Sequence, residues 1–247
     1  MSGSLRVLEP HERLRARYDA IWADARPVVA AGRARINPYL RDEVEDTRRG
    51  LTLAARIAPG PRSALMNTLA ELADGEPGVY LYPESSLHVT VQSLVQVQEE
   101  AHPLLALRDD FLDAIRPILR RSPPFGLVCW GLTGSRDAVL LQGYPTDEGL
   151  DHLRASLQAA LKRAGLAQAL DDRFAIAIAH ATVARYRAPL RNPAGFAARL
   201  DAHRLTGFGT MSVTEVEVVE TDWFMTPGLA QVCKRFRLDV STSGGSV

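Results

Sequence analysis

Residues 85–94 read SSLHVTVQSL and residues 177–186 read AIAHATVARY. Each stretch sets a histidine and a threonine two positions apart inside a largely apolar run. In an extended strand, residues i and i+2 point to the same side, about 6 to 7 Å apart. His88 and Thr90 are therefore predicted to share a face, with Gln92 beyond them, while Leu87, Val89 and Val91 face a core. His180 and Thr182 share a face in the same way, flanked by Ile178 and Ala184, and Arg185 falls on the alternate face. The chain has six histidines in 247 residues. At that frequency chance His-x-Thr triplets are expected well under once per chain, so two copies in strand-like runs form a pattern.

Working outward, the pattern before residue 50 is helical. After Pro10, the residues Leu14, Tyr18, Ile21 and Trp22 recur at helical spacing, which predicts one apolar stripe packed on the main body. Pro27 is predicted to end or kink this helix. A second helix is predicted over NPYLRDEVEDTRRG, with Asn37 as its N-cap, Pro38 in the first turn and Gly50 as the stop. Residues 1–49 thus read as an N-terminal helical extension.

Beyond it, strand and helix patterns alternate. LTLAARI, GVYLYP, LHVTVQSLVQV, PFGLVCWGL, DAVLLQGYP, RFAIAIAHATVARY, MSVTEVEVVETDWF and KRFRLDV read as strands, with helical patterns over 59–75, 101–122, 147–165 and 192–204. A helix and then two strands follow each histidine strand, so residues 50–240 read as two related halves meeting near residue 145, and 241–247 as a flexible tail. The predicted fold class is α/β (α+β): two pseudo-symmetric lobes with mainly antiparallel sheets around a central cleft.

Composition narrows the function. An apolar fraction of 46% with 23% charged residues is that of a globular chain. The formal net charge of zero argues against a long duplex as partner, because such binding rests on a basic face. The two cysteines, Cys129 and Cys233, have no metal-ligand spacing. No apolar run is long enough to span a bilayer, and MSGSLRVLEPHERLRARYDA lacks the apolar core of a secretory signal. The expectation is a cytoplasmic protein with reduced thiols and no membrane partner; protein partners are left open.

Two imidazoles and two hydroxyls facing one ligand suit phosphoester chemistry. A neutral imidazole can take a proton from an attacking water or hydroxyl, a protonated one can donate to the leaving oxygen, and a free pKa near 6.5 makes both forms accessible. The hydroxyls can hold the nonbridging phosphate oxygens. This scheme needs no metal and no cofactor. Tyr82, Phe125, Tyr144 and Tyr186 are candidates to stack on a base, against the commoner reading of strand aromatics as core. His11, His102, His152 and His203 fall on predicted helices without a partner motif.

The paired motifs, about ninety residues apart, resemble those of the 2H phosphoesterase superfamily, which includes 2′-5′ RNA ligase-like proteins and 2′,3′-cyclic phosphodiesterases. GLTLAARIAPG, VYLYPESSLHVTV, PPFGLVCWGL and HATVAR extend the resemblance over residues 50 to 240. It implies two α/β lobes around a cleft and metal-independent hydrolysis or transfer at a 2′,3′-cyclic or 2′-5′-linked phosphate of a nucleotide or RNA end. By the same resemblance His88 and His180 match the catalytic histidines, Thr90 and Thr182 the phosphate-binding hydroxyls, and Arg185 a basic residue that follows the second motif. Gln92 and Ser93 stand where Arg-Phe is frequent, a departure that bears on substrate contacts. Three readings stay open: a phosphodiesterase, with ligation as its reverse; a noncatalytic nucleotide or RNA-end binding module on the same fold; and an interaction protein that works through its N-terminal helices.

Overall fold

The apolar stripe of the first helix decides how the molecule begins. The computed structural model describes residues 5–41, 44–99, 102–166 and 178–239. Helix α1 (Leu5–Ala30) buries Tyr18, Trp22, Ala25 and Val29, successive positions three or four apart on one face. Pro27 does not end it: Pro27 lies on the exposed face while Ala25 and Val29 carry the stripe onward, and the helix stops where Gly32 turns left-handed at φ 70°. The second predicted helix does not form. Asn37 caps only a 3₁₀ turn, its side chain accepting from the Tyr39 amide at 3.1 Å. Next, Asp46 accepts from the amide, Nε and Nη2 of Arg48, and the Arg49 guanidinium donates to the carbonyls of residues 46 and 48. Side-chain bonds to the local backbone compete with a helical ladder and here replace it.

The remaining elements are β1 (Arg49–Arg56), α2 (Pro59–Leu72), β2 (Val79–Leu81), β3 (His88–Gln98), α3 (His102–Leu105), α4 (Arg108–Leu119), β4 (Phe125–Gly134), β5 (Ala138–Pro145), α5 (Gly149–Arg163), β6 (Ala179–Tyr186), α6 (Pro193–Ala202), β7 (Gly207–Val213), β8 (Glu215–Thr221) and β9 (Gln231–Arg237). They build two antiparallel sheets, ordered β3-β1-β8-β9 and β2-β6-β5-β4-β7. A helix and two strands do follow each histidine strand, but the sheets exchange them. β8 and β9 join β1 and β3, while β2 joins the sheet of β6. The point near residue 145 is the end of β5, and each sheet takes strands from both sides of it. The histidine strands β3 and β6 lie in different sheets and pack against each other along the central cleft. Residues 173–177 of the predicted sixth strand, and the tail 241–247, fall outside the described residues.

Helices supply the outer layers: α5 packs on α4 and β3, α2 on β7, and α1 on β4, β5 and α6. The core is continuous across both sheets, including Leu53, Val89, Leu141, Val183 and Phe196. Helix α1 belongs to that core, because the Trp22 indole donates to Asp201 of α6 at 2.6 Å and its ring covers Gly134. A Cβ at Gly134 would stand 2.5 Å from the ring. No described helix is long and apolar enough to cross a membrane.

Trp22→Ala is accordingly expected to lower the unfolding free energy by about 3–5 kcal/mol, the usual cost of emptying an aromatic core site. Urea denaturation followed by circular dichroism measures it, and a loss under about 1 kcal/mol would make α1 an appendage instead of part of the core.

Candidate active site

Both motif strands carry a β-bulge at the same place. In β3, His88 pairs with Arg56 of β1 and Thr90 with Ala54, but Gln92 pairs with Leu53 and Ser93 with Thr52. Val91 is the extra residue. A bulge of one residue reverses the side-chain phase beyond it. Paired residues share a face, so Ser93 lies on the face of His88 and Thr90, and Gln92 turns to the other side. This corrects the alternation read from sequence. Gln92 is buried, and its Oε1 meets no partner among the described residues.

β6 repeats the device. His180 pairs with Gln142 of β5 and Thr182 with Leu140, then Ala184 with Val139 and Arg185 with Ala138, leaving Val183 as the extra residue. Gln142, Leu140 and Ala138 alternate along β5 and therefore share one face. Arg185 thus joins His180 and Thr182, where simple alternation had set it on the opposite side. The two strips are equivalent: His88, Thr90 and Ser93 on β3, His180, Thr182 and Arg185 on β6.

The histidines themselves are half-buried. The Nδ1 of His88 lies 2.7 Å from the carbonyl oxygen of Ser86, which can only accept, so that nitrogen carries the hydrogen and Nε2 is left for the cleft. Burial lowers the His88 pKa to about 4, the Ser86 bond working against this shift and the Arg56 charge adding to it. Burial also lowers His180 to about 4, with further opposition to its charge from Arg154, His88 and Arg185. His180 Nδ1 is buried without a partner among the described residues. Thr90 and Thr182 are half-buried, and no hydrogen bond to a described residue occupies either hydroxyl.

Arg185 is held from two sides. Its Nε donates to the Tyr82 hydroxyl at 3.0 Å and its Nη1 to Asp137 at 3.1 Å. Tyr82 thus contacts Arg185 from a buried position. Tyr144 and Tyr186 leave the list of stacking candidates. Tyr144 lies under α1, against the rings of His11 and Tyr18, and donates to Gln142 at 2.6 Å. Tyr186 is fully buried against Phe196, and Phe125 is core as well. His11 acquires a structural place, its Nε2 2.9 Å from the Pro145 carbonyl oxygen.

Sequence reading missed the partly exposed Trp223, which has the Arg185 guanidinium 5.9 Å and the Arg48 guanidinium 5.8 Å from the centre of its ring. Tyr80 stands edge-on to Tyr82 and Phe224 nearby. The run TDWF after a strand was the available signal, but nothing in it tells which strand end meets the cleft. Two surface hollows, one beside Arg56 and Glu217 and one beside Arg108 and Glu220, contain neither histidine.

The fold that brings these two strands together from different sheets is shared with solved structures. TT0787 of Thermus thermophilus superposes with a TM-score of 0.53 at 22% identity, over 76% of this chain and 97% of that one. Escherichia coli LigT complexed with 3′-AMP gives 0.50 at 19%, over 78% and 99%. ATU0111, a protein of unknown function from Agrobacterium tumefaciens, gives 0.52 at 14%, over 81% and 94%. These identities establish likeness of fold. A search of curated proteins finds no match. The family model described as the 2′-5′ RNA ligase superfamily matches residues 58–222, a span that includes both histidine strands, and the chain belongs to that superfamily.

Proposed function

We propose that the protein is a metal-independent phosphoesterase that acts on a 2′,3′-cyclic or 2′-5′-linked phosphate of a nucleotide or RNA end. The observation that carries the proposal is the pair of equivalent strips, in which two half-buried imidazoles are accompanied by two threonine hydroxyls with no hydrogen bond to a described residue. That E. coli LigT is found with 3′-AMP agrees with a nucleotide-sized ligand.

The environments of the histidines divide their roles. An imidazolium on His88 keeps its Nδ1–H on the Ser86 carbonyl and faces Arg56, whereas one on His180 would have no acceptor at Nδ1 among the described residues and would face Arg154 and Arg185. A proton brought in with a phosphate anion therefore goes to His88, which is the general acid, and His180 stays neutral as the base. In the opening of a cyclic phosphate, His180 takes a proton from water as its oxygen bonds to phosphorus. The bond from phosphorus to the ribose oxygen breaks, and that oxygen takes the proton from His88. Thr90 and Thr182 hold the nonbridging oxygens. Ligation would put the hydroxyl of a second RNA end in place of that water, its oxygen bonding to phosphorus as His180 takes its proton and the ribose oxygen leaving with the proton from His88.

His88→Ala and His180→Ala are each expected to reduce turnover of 2′,3′-cyclic mononucleotides or 2′-5′-linked oligonucleotides by about 10²- to 10⁴-fold. Thr90→Ala and Thr182→Ala should each cost on the order of 1–3 kcal/mol in transition-state binding. Assays with excess EDTA test the metal-free scheme, which fails if EDTA abolishes turnover or if either histidine variant keeps the wild-type rate. Nucleotide binding by calorimetry without any turnover would instead support a binding module.

Because both histidines are pulled well below 6.5, the protonated His88 is a minor form of the free enzyme at pH 7. The value of kcat/KM, which reports the free enzyme, should therefore rise as pH falls from 7 toward 5. The optimum of kcat should lie at higher pH, since a bound phosphate anion raises the imidazole pKa. A kcat/KM that falls steadily over the same interval would contradict the assignment.

A further inference from the structure

Arg154 is a buried arginine on α5, one residue among many in an amphipathic helix and unremarked in the sequence pattern. Its position explains a difficulty that the bulge creates. A bulge breaks the ladder, and the carbonyls beside it need other donors. In β3 these belong to Thr90 and the extra residue Val91. Arg154 Nε donates to Val91 O at 3.1 Å and its Nη2 to Thr90 O at 2.9 Å. The same Nη2 reaches Ile178 O at 3.5 Å, just before the other histidine strand and two residues before His180. Ile178 stands to His180 as Ser86 stands to His88. In the first motif that carbonyl binds the histidine ring, and in the second it faces a guanidinium.

We infer that Arg154 is a positioning residue that ties the bulge of β3 to the start of β6 and so keeps His180 the neutral member of the histidine pair. One planar guanidinium, with donors in a fixed fork, spans two strands that share no ladder, a task that a flexible ammonium performs poorly. Its charge is also among the three that oppose protonation of His180, the others being His88 on β3 and Arg185 on β6. Among the described residues, Asp151, one turn earlier on α5, and the buried Tyr18 hydroxyl of α1 lie around Arg154. Burial works against the Arg154 charge, and three backbone carbonyls compensate for that cost.

The inference rests on the two-histidine reading only for its kinetic consequence, since the titration of His180 can be followed without turnover. Proton NMR of the imidazole signals of full-length protein, assigned through His88→Ala and His180→Ala, gives the pKa of each ring. Arg154→Met removes the charge at similar length. It is expected to raise the His180 pKa by about one unit, an ordinary effect of removing one nearby like charge, and to move His88 less. The fall of kcat/KM at low pH, where His180 takes up a proton, should shift upward in pH by the same amount. Arg154→Lys keeps a charge but loses the fork, so it should hold the His180 pKa near its wild-type value while kcat falls at least tenfold and KM changes little. If Arg154→Met does not fold, Arg154→Lys decides alone through this split. A folded Arg154→Met with an unchanged His180 titration overturns the inference, as does an Arg154→Lys with wild-type kcat. If no substrate is turned over by the wild type, the titration still decides whether Arg154 governs His180, and the phosphoesterase reading fails separately.

Discussion

Two strands that belong to different sheets have to be kept at one separation for this site to exist. Within a sheet, hydrogen-bond ladders fix neighbours near 4.8 Å apart. No ladder joins β3 to β6. Their spacing depends on side-chain packing through the common core and on the Arg154 donors that reach carbonyls of β3 and of Ile178, just before β6. Interiors are close-packed and resist small displacements, so the relative position of two such strands is a property of the whole core. This accounts for the cost of a remote defect: an error of about 1 Å between catalytic groups can reduce rate a hundredfold.

The N-terminal helix enters the same balance. α1 covers β4 and β5, and β5 is the ladder partner of the second histidine strand. The Tyr18 hydroxyl both donates to the Gly143 carbonyl at 3.1 Å and accepts from its amide at 3.2 Å, and Gly143 pairs with Ala179, the neighbour of His180. The turn between β4 and β5 is tied in as well. Arg136 forms a two-pronged pair with Asp24 of α1, while the next residue, Asp137, holds Arg185. A segment that lies before the family match at residue 58 is thus in contact with the support of both His180 and Arg185. The side chains of Tyr18, Trp22, Ala25 and Val29 on α1 are buried within their own chain.

Much of this was legible in the sequence. Alternation of apolar and polar residues located most strands, and the helical spacing of Tyr18 and Trp22 located α1. The His-x-Thr spacing needs only one local rule, that i and i+2 share a face, and the rule holds up to Thr90 and Thr182. It fails at Val91 and Val183, because a bulge depends on the register with β1 or β5 and not on the residues of the strand itself. Gln92 was thereby read as facing the site and Arg185 as turned from it. The helix expected after Asn37 failed for a different reason, since Asp46 and the arginines after it satisfy the backbone locally. Exchange of strands between the sheets is a matter of topology, on which periodicity is silent.

The departures from symmetry carry the most chemistry. Two copies of one motif, each with a bulge after the threonine, would by themselves give two equivalent histidines with equal claims to a proton. Acid and base catalysis in one step needs them unequal. The chain makes them so at the carbonyl two residues before each histidine, one bonded to the imidazole and the other approached by a guanidinium. The third cleft position repeats the difference, neutral Ser93 on the first strip and cationic Arg185 on the second. Both differences oppose positive charge on His180, as the Arg56 guanidinium opposes it on His88, where the Ser86 carbonyl works the other way. The polarity of the site thus arises from groups just outside the motifs, placed by the same bulges that set its geometry.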